Sequence, residues 1–212
     1  MKQYLAEAIG AFFLVLTIGL CGNQGVVAAP LAIGAALAVM VYAGGHISGA
    51  HYNPAVTLAA WLRGALPARQ VIPYWAAQFA GAIVAAFLVL KFTGRALHVA
   101  PADTAGWGAV LLGEVLFTFG LAYVVLNVAT ARETQGNAYF GAAIGGTVMV
   151  GAFAMGGISG GAFNPAVGLG PAIVEAMLGQ RPPSSLAWIY AVGPFAGAAI
   201  AAFVFKFQHP GE

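Results

Sequence analysis

The chain has 212 residues, 61% hydrophobic and only 7% charged, with a formal net charge of +2. A soluble domain carries about 25% charged residues, so this composition excludes a solvated globular surface and indicates a polytopic helical membrane protein in a lipid bilayer. The small net charge argues for no nucleic acid or acidic partner, and the single cysteine, Cys21, excludes an intramolecular disulfide framework and any cysteine metal cluster.

In chain order, residues 4–22 are apolar and long enough to cross a bilayer at about 20 residues per span. A charge ahead of an apolar run also suits a secretory leader. Glu7 interrupts this run, however, and the stretch returns in altered form in the second half, so it is read as the first spanning helix. After a turn at Gly22-Asn23-Gln24-Gly25, Pro30 opens a second run to about Gly45. The small-residue stretch Gly45-His46-Ile47-Ser48-Gly49-Ala50 then leads into His51-Tyr52-Asn53-Pro54-Ala55-Val56. Asn before Pro is a helix-start signal: the Asn oxygen accepts a first-turn N–H, and Pro fits the first helical position. That leaves the Asn NH2, a double donor, to point elsewhere.

The apolar segment from Ala55 to Leu62 is too short to span and is read as a re-entrant half-helix. A third span runs from about Val71 to Phe92, followed by the longest polar stretch, Gly94 to Gly106. The fourth span covers about Trp107 to Thr130 and the fifth about Ala138 to Gly156, with a polar turn at 131–137 between them. A second motif, Ala162-Phe163-Asn164-Pro165-Ala166-Val167, opens a half-helix to about Leu178. Gln180 to Ser184 breaks the chain before a sixth span, about Ser185 to Phe207.

The halves repeat. Ile33-Gly34, Ile47-Ser48-Gly49 and Asn53-Pro54-Ala55-Val56 recur at a constant offset of 111, Glu7 recurs as Glu114, and Phe79-Ala80-Gly81-Ala82 recurs as Phe195-Ala196-Gly197-Ala198. Three spans per half is odd, so the second half enters from the opposite side. The expected fold is therefore all-α: six transmembrane helices and two re-entrant half-helices in one domain over 1–212, with inverted repeats at about 1–100 and 101–212. Inversion brings Asn53 and Asn164 together at the midplane, with both positive helix ends on one spot. That geometry favours neutral solutes over cations. Lys2, Arg63, Arg69, Arg132 and Lys206 on one side, against Lys91, Arg95 and Arg181 on the other, give a slight positive-inside bias with both termini cytoplasmic.

Glu7 and Glu114 are the carboxylates inside predicted spans, where an ionised one costs roughly 2.5–3.5 kcal/mol. A proton relay is one reading. The favoured one is that each accepts loop N–H groups, because non-helical backbone at membrane depth needs internal partners; snorkelling of Glu7 is a third. Gln78 reads as a loop brace, His46 as a hydrogen bonder within its loop, His51 as a pore-lining group beside Asn53, and His98 and His209 as solvated. There is no nucleophile with a base, no metal cluster, no cofactor motif and no nucleotide loop, so enzyme activity has no support.

The doubled Asn-Pro-Ala, six spans and inverted repeat resemble the major intrinsic protein family, the aquaporins and glycerol facilitators. The resemblance rests above all on Gly-His-Ile-Ser-Gly-Ala-His-Tyr-Asn-Pro-Ala-Val-Thr at 45–57 and Ile-Ser-Gly-Gly-Ala-Phe-Asn-Pro-Ala at 158–166. It implies a right-handed bundle, a passive channel with one pore per subunit, and a homotetramer in the cell membrane. It also implies a pore built on Asn53, Pro54, Ala55, Asn164, Pro165 and Ala166, with a selectivity constriction at Ile33, Ala152, Gly161 and Val167.

Most members of that family carry Arg after the second Asn-Pro-Ala; this chain has Val167. The quartet has no charge, side-chain donor or aromatic ring, and polar guidance falls to the backbone around Gly160 to Ala162. The expected function is a passive channel for water and small neutral solutes such as glycerol, urea, ammonia or hydrogen peroxide. A gate in which Ile33 and Val167 meet and dewet, an ion- or proton-coupled transporter, and a closed-pore structural membrane protein remain as alternatives.

Overall fold

The computed structural model describes residues 1–179 and 185–212, and among them it is all-helical. The expected chain break at Gln180 to Ser184 lies outside the described residues. In chain order the helices are α1 (Lys2–Asn23), α2 (Ala29–Ser48), α3 (Pro54–Arg63), α4 (Ala68–Thr93), α5 (Trp107–Ala129), α6 (Phe140–Ser159), α7 (Pro165–Met177) and α8 (Ile189–Gln208). All but α3 and α7 are long and apolar enough to cross a membrane. With 10 and 13 residues, α3 and α7 reach about 15 and 20 Å at 1.5 Å per residue, part of the way through a bilayer core about 30 Å thick.

Several ends differ from the sequence reading. Helices α2 and α6 continue past Gly45 and Gly156 to Ser48 and Ser159. Glycine weakens a helix interior, but in α2 packing overrides it: a side chain on Gly44 would collide with the Tyr52 hydroxyl, so the bare helix face admits that ring. The stops come instead at Gly49 and Gly160, which cap the helices at φ 86° and 83°. Helix α8 starts at Ile189, later than expected: residues 185–188 form a turn, closed where Ile189 N–H donates to Leu186 O at 2.9 Å.

The packing is that of an inverted repeat. Helix α1 lies on α4 as α5 lies on α8, and α1 on α2 as α5 on α6. Each half-helix crosses to the other half, α3 against α8 and α7 against α4, while α2 meets α6 and α3 meets α7. The tightest crossings are made by equivalent glycines. A Cβ on Gly81 would strike the Ala8 carbonyl oxygen, and one on Gly197 the Val115 carbonyl oxygen. Backbone cannot give way as a flexible side chain can. Gly81→Val and Gly197→Val should therefore each cost at least the about 1–3 kcal/mol typical of overpacking. Thermal unfolding in detergent checks this, and two variants melting with the parent would count against close helix contact at these positions.

The bundle buries a small set of polar side chains among an apolar core and turns large apolar side chains outward. Glu7, Gln78, Glu114, Thr118 and Ser159 are fully buried, whereas Ile72, Phe92, Phe203 and Phe207 are exposed. In a bilayer this is the favourable distribution, because polar groups must find partners within the protein.

Candidate functional site

Two loops, each following a capped helix, descend into the bundle. In the first, Ala50 and Tyr52 adopt φ values of 51° and 52°; in the second, Gly161 and Phe163 adopt 63° and 48°. Left-handed backbone at non-glycine residues costs of order 1–3 kcal/mol and persists only where surroundings impose it. The imposing groups are the two buried glutamates. Glu7 Oε1 accepts from Ser48 Oγ at 2.6 Å and His51 N at 3.0 Å, and its Oε2 accepts from Tyr52 N at 2.6 Å and Gln78 Nε2 at 2.8 Å. Glu114 repeats the pattern, accepting from Ser159 Oγ at 2.7 Å, Ala162 N at 3.1 Å and Phe163 N at 2.7 Å. With Glu7 completely buried, snorkelling to the interface is excluded. Two tyrosines close the outside of the loops: Tyr74 donates to Ser48 O at 2.8 Å and Tyr190 to Ser159 O at 2.6 Å.

The strained turns aim backbone carbonyls across the molecule. Asn53 caps α3, its Oδ1 accepting from Ala55 N at 2.8 Å, and Asn164 caps α7, accepting from Ala166 N at 2.9 Å. Pro54 and Pro165 occupy the first helical positions. One hydrogen of each NH2 is committed to the opposite loop: Asn53 Nδ2 donates to Phe163 O at 2.8 Å and Asn164 Nδ2 to Tyr52 O at 2.9 Å. Each amide thus keeps one hydrogen for a passing solute instead of two.

Asn53 and Asn164 line a cavity of about 380 Å³ together with Ile33, Ala152, Gly161 and Val167, and with His51, Gly160 and Ala162. A second cavity, about 490 Å³, opens toward Arg63, Gln70 and Thr130. His51 and Val125 belong to both, so the two cavities adjoin at this imidazole. A relay orients the ring: His51 Nδ1 lies 3.1 Å from Thr57 Oγ1, which accepts from Gln78 Nε2 at 2.9 Å, and Gln78 reaches Glu7. At the second cavity Arg63 donates to Thr130 Oγ1 and O at 2.9 and 2.7 Å and to Glu212 Oε2 at 2.7 Å. Desolvation opposes charge on Glu212, but the Arg132 N–H and the Arg63 guanidinium outweigh it and hold the carboxyl below its ordinary value.

His46 stands differently from the sequence reading, and His98 and His209 have partners it did not give. His46 is exposed in the last turn of α2, and the side chain from this turn that reaches Glu7 is Ser48. His98 is exposed, as expected, and its Nδ1 also lies 3.0 and 3.1 Å from the two carboxylate oxygens of Glu175. His209 stacks on Phe205 with ring centroids 4.2 Å apart. Ser48, Ser159, Thr57 and Tyr190 have no role assigned from sequence, and Tyr74, whose aromatic ring suits an interfacial belt by sequence, is buried instead against the first loop. Ser48 and Ser159 recur at the motif offset, and Tyr74 and Tyr190 at that of the Phe-Ala-Gly-Ala segments, so the repeat alignment held the signal. Among the described residues no group of three or more His, Cys, Asp or Glu side chains gathers that could hold a metal ion.

Comparison with known proteins agrees with this geometry. A family model described as "Major intrinsic protein" matches residues 1–205. Aquaporin NIP1-4 of Oryza sativa subsp. japonica is 39% identical over 216 residues, covering 97% of this chain and 76% of that protein. Aquaporin NIP1-1 of the same plant is 41% identical, covering 97% and 74%. The X-ray structure of the aquaglyceroporin from Plasmodium falciparum shares the fold with a TM-score of 0.86 at 20% identity, covering 99% of this chain and 97% of that one.

Proposed function

The chain belongs to the major intrinsic protein family, integral multi-pass membrane channels for water and small solutes, and from that membership we propose that its pore passes small neutral solutes besides water, such as glycerol, urea, ammonia or hydrogen peroxide. One observation carries the reading. Ile33, Ala152, Gly161 and Val167 line the same cavity as Asn53 and Asn164, yet offer no charge and no side-chain donor. Two of the four add little or no bulk, so the constriction is wide and apolar.

Polar guidance comes from the loop backbone and from the free hydrogen on each Asn amide. Cations meet the N-terminal ends of α3 and α7 and are disfavoured there. Glu7 and Glu114 are occupied as braces by Ser48, Ser159 and the loop N–H groups, which supports a passive pore over a proton-coupled transporter. The assembly is a homotetramer in the cell membrane with both termini cytoplasmic, an orientation supported by the positive-inside bias.

Proteoliposome swelling tests the function. Vesicles that swell in a water gradient but pass none of the four solutes would sink the proposal. A finer test is Gly161→Ala. A Cβ there meets Gly156 Cα at 3.5 Å and Ala152 Cα at 3.6 Å, ordinary contacts, and Ala50 already adopts the same left-handed backbone in the other loop. The variant should fold and narrow the passage, lowering glycerol flux about tenfold, equivalent to about 1.4 kcal/mol of added barrier, with a smaller effect on water. Stopped-flow light scattering reads both, and an unchanged glycerol rate would place the constriction elsewhere.

A further inference from the structure

The polar segment between α4 and α5 folds down over the second loop. Leu97 is buried, Ala102 N–H donates to Ile158 O at 3.0 Å, and a Cβ on Gly160 would stand 2.9 Å from Ala100 O. His98, in this segment, lines the cavity that holds Ile33, Ala152, Gly161 and Val167. Its side chain is 37% exposed, while that of its partner Glu175, on α7, is 8% exposed. An ionised carboxylate only accepts, so the His98 tautomer that pairs with it carries its hydrogen on Nδ1. In the neutral ring Nε2 is then an acceptor, and with Nδ1 taken it is the ring nitrogen left for the cavity.

We propose that His98 is a specificity-determining residue of this channel. Its Nε2 accepts a hydrogen bond from a small neutral solute rich in O–H or N–H donors, a polyol or a urea-type amide, at the threshold of the apolar constriction. Glu175 is the positioning residue that holds the ring and its tautomer. The inference rests on the channel reading above. A solute that sheds water to enter an apolar passage loses hydrogen bonds that must be replaced. The constriction side chains replace none, and a polyol or urea has more donors to satisfy than water has. An acceptor fixed just outside the constriction therefore helps the larger solutes most.

His98→Phe keeps a ring and removes the acceptor. In proteoliposomes it should lower the glycerol-to-water and urea-to-water permeability ratios about fivefold, the effect of roughly one net hydrogen bond. Water flux should change less than about twofold. His98→Gln, which retains an acceptor, should recover much of the loss, and Glu175→Gln should lower the ratios less than His98→Phe does. Unchanged ratios in His98→Phe overturn the proposal, as do equal losses of water and solute, which a slackened segment would give.

Binding is also read directly by nitrogen-15 NMR of the solubilised full chain titrated with glycerol and then urea. His98 Nε2 should shift saturably, with a single Nδ1-protonated pattern that Glu175→Gln loses. An Nε2 resonance indifferent to both solutes overturns the proposal whatever the flux. A wild type that passes no solute yet shows the shift supports this site while overturning the solute reading.

Discussion

Glu7→Ala should leave little or no folded channel, and Glu114→Ala should be nearly as damaging. Glu7 takes four hydrogen bonds, from Ser48, His51 N, Tyr52 N and Gln78, and Glu114 takes three, from Ser159, Ala162 N and Phe163 N. Removing a carboxylate strands those donors where water does not reach, at about 1–3 kcal/mol for each buried group left unpaired. The loops also hold left-handed Tyr52 and Phe163, which relax once their N–H groups lose their anchor. Glutamine should be milder at both sites, since it keeps one acceptor oxygen. Size-exclusion profiles and thermal melting in detergent give the answer. An alanine variant melting within a few degrees of the parent, with flux intact, would mean that the loops are held by something other than these carboxylates.

Val167→Arg is the substitution with the largest expected effect on selectivity. Val167 is the first-turn residue of α7 that follows Ala166, is 3% exposed, and borders the cavity beside Ile33 and Gly161. An arginine there would extend into that space and add a fixed positive charge with a fork of donors. Glycerol and urea flux should fall about tenfold or more, corresponding to at least about 1.4 kcal/mol of barrier, while water flux falls much less. Ammonia and hydrogen peroxide, being smaller, should lie between. Equal reductions for all permeants would indicate a plugged pore, and no change in solute preference would show that the constriction does not include this residue.

The elements that could be read from the chain were those set by local signals or by repetition. Asn followed by Pro announced both half-helix caps, because the capping oxygen and the missing proline N–H act within one turn. The inverted arrangement followed from counting spans between matched segments. The destination of the Asn NH2 groups was not legible, since the accepting carbonyls lie 110 and 112 residues away. Nor was the extension of α2 to Ser48: a glycine-rich run reads as loop until the bulky group that packs onto its bare face, Tyr52 at Gly44, is known. The partner of His98 was not legible either, because Glu175 lies 77 residues on and nothing local links the two.

The reciprocal pair of bonds from Asn53 to Phe163 O and from Asn164 to Tyr52 O also bears on the order of assembly. Neither bond can form until both halves of the chain are in the bilayer, because each joins residues from different halves. A nascent chain that has inserted only α1 to α4 holds the Asn53 amide and the Tyr52 carbonyl without these partners. Contacts this remote in sequence carry the largest loop-closure cost and form late. The two loops thus lock onto one another only after the second half of the chain has entered the membrane.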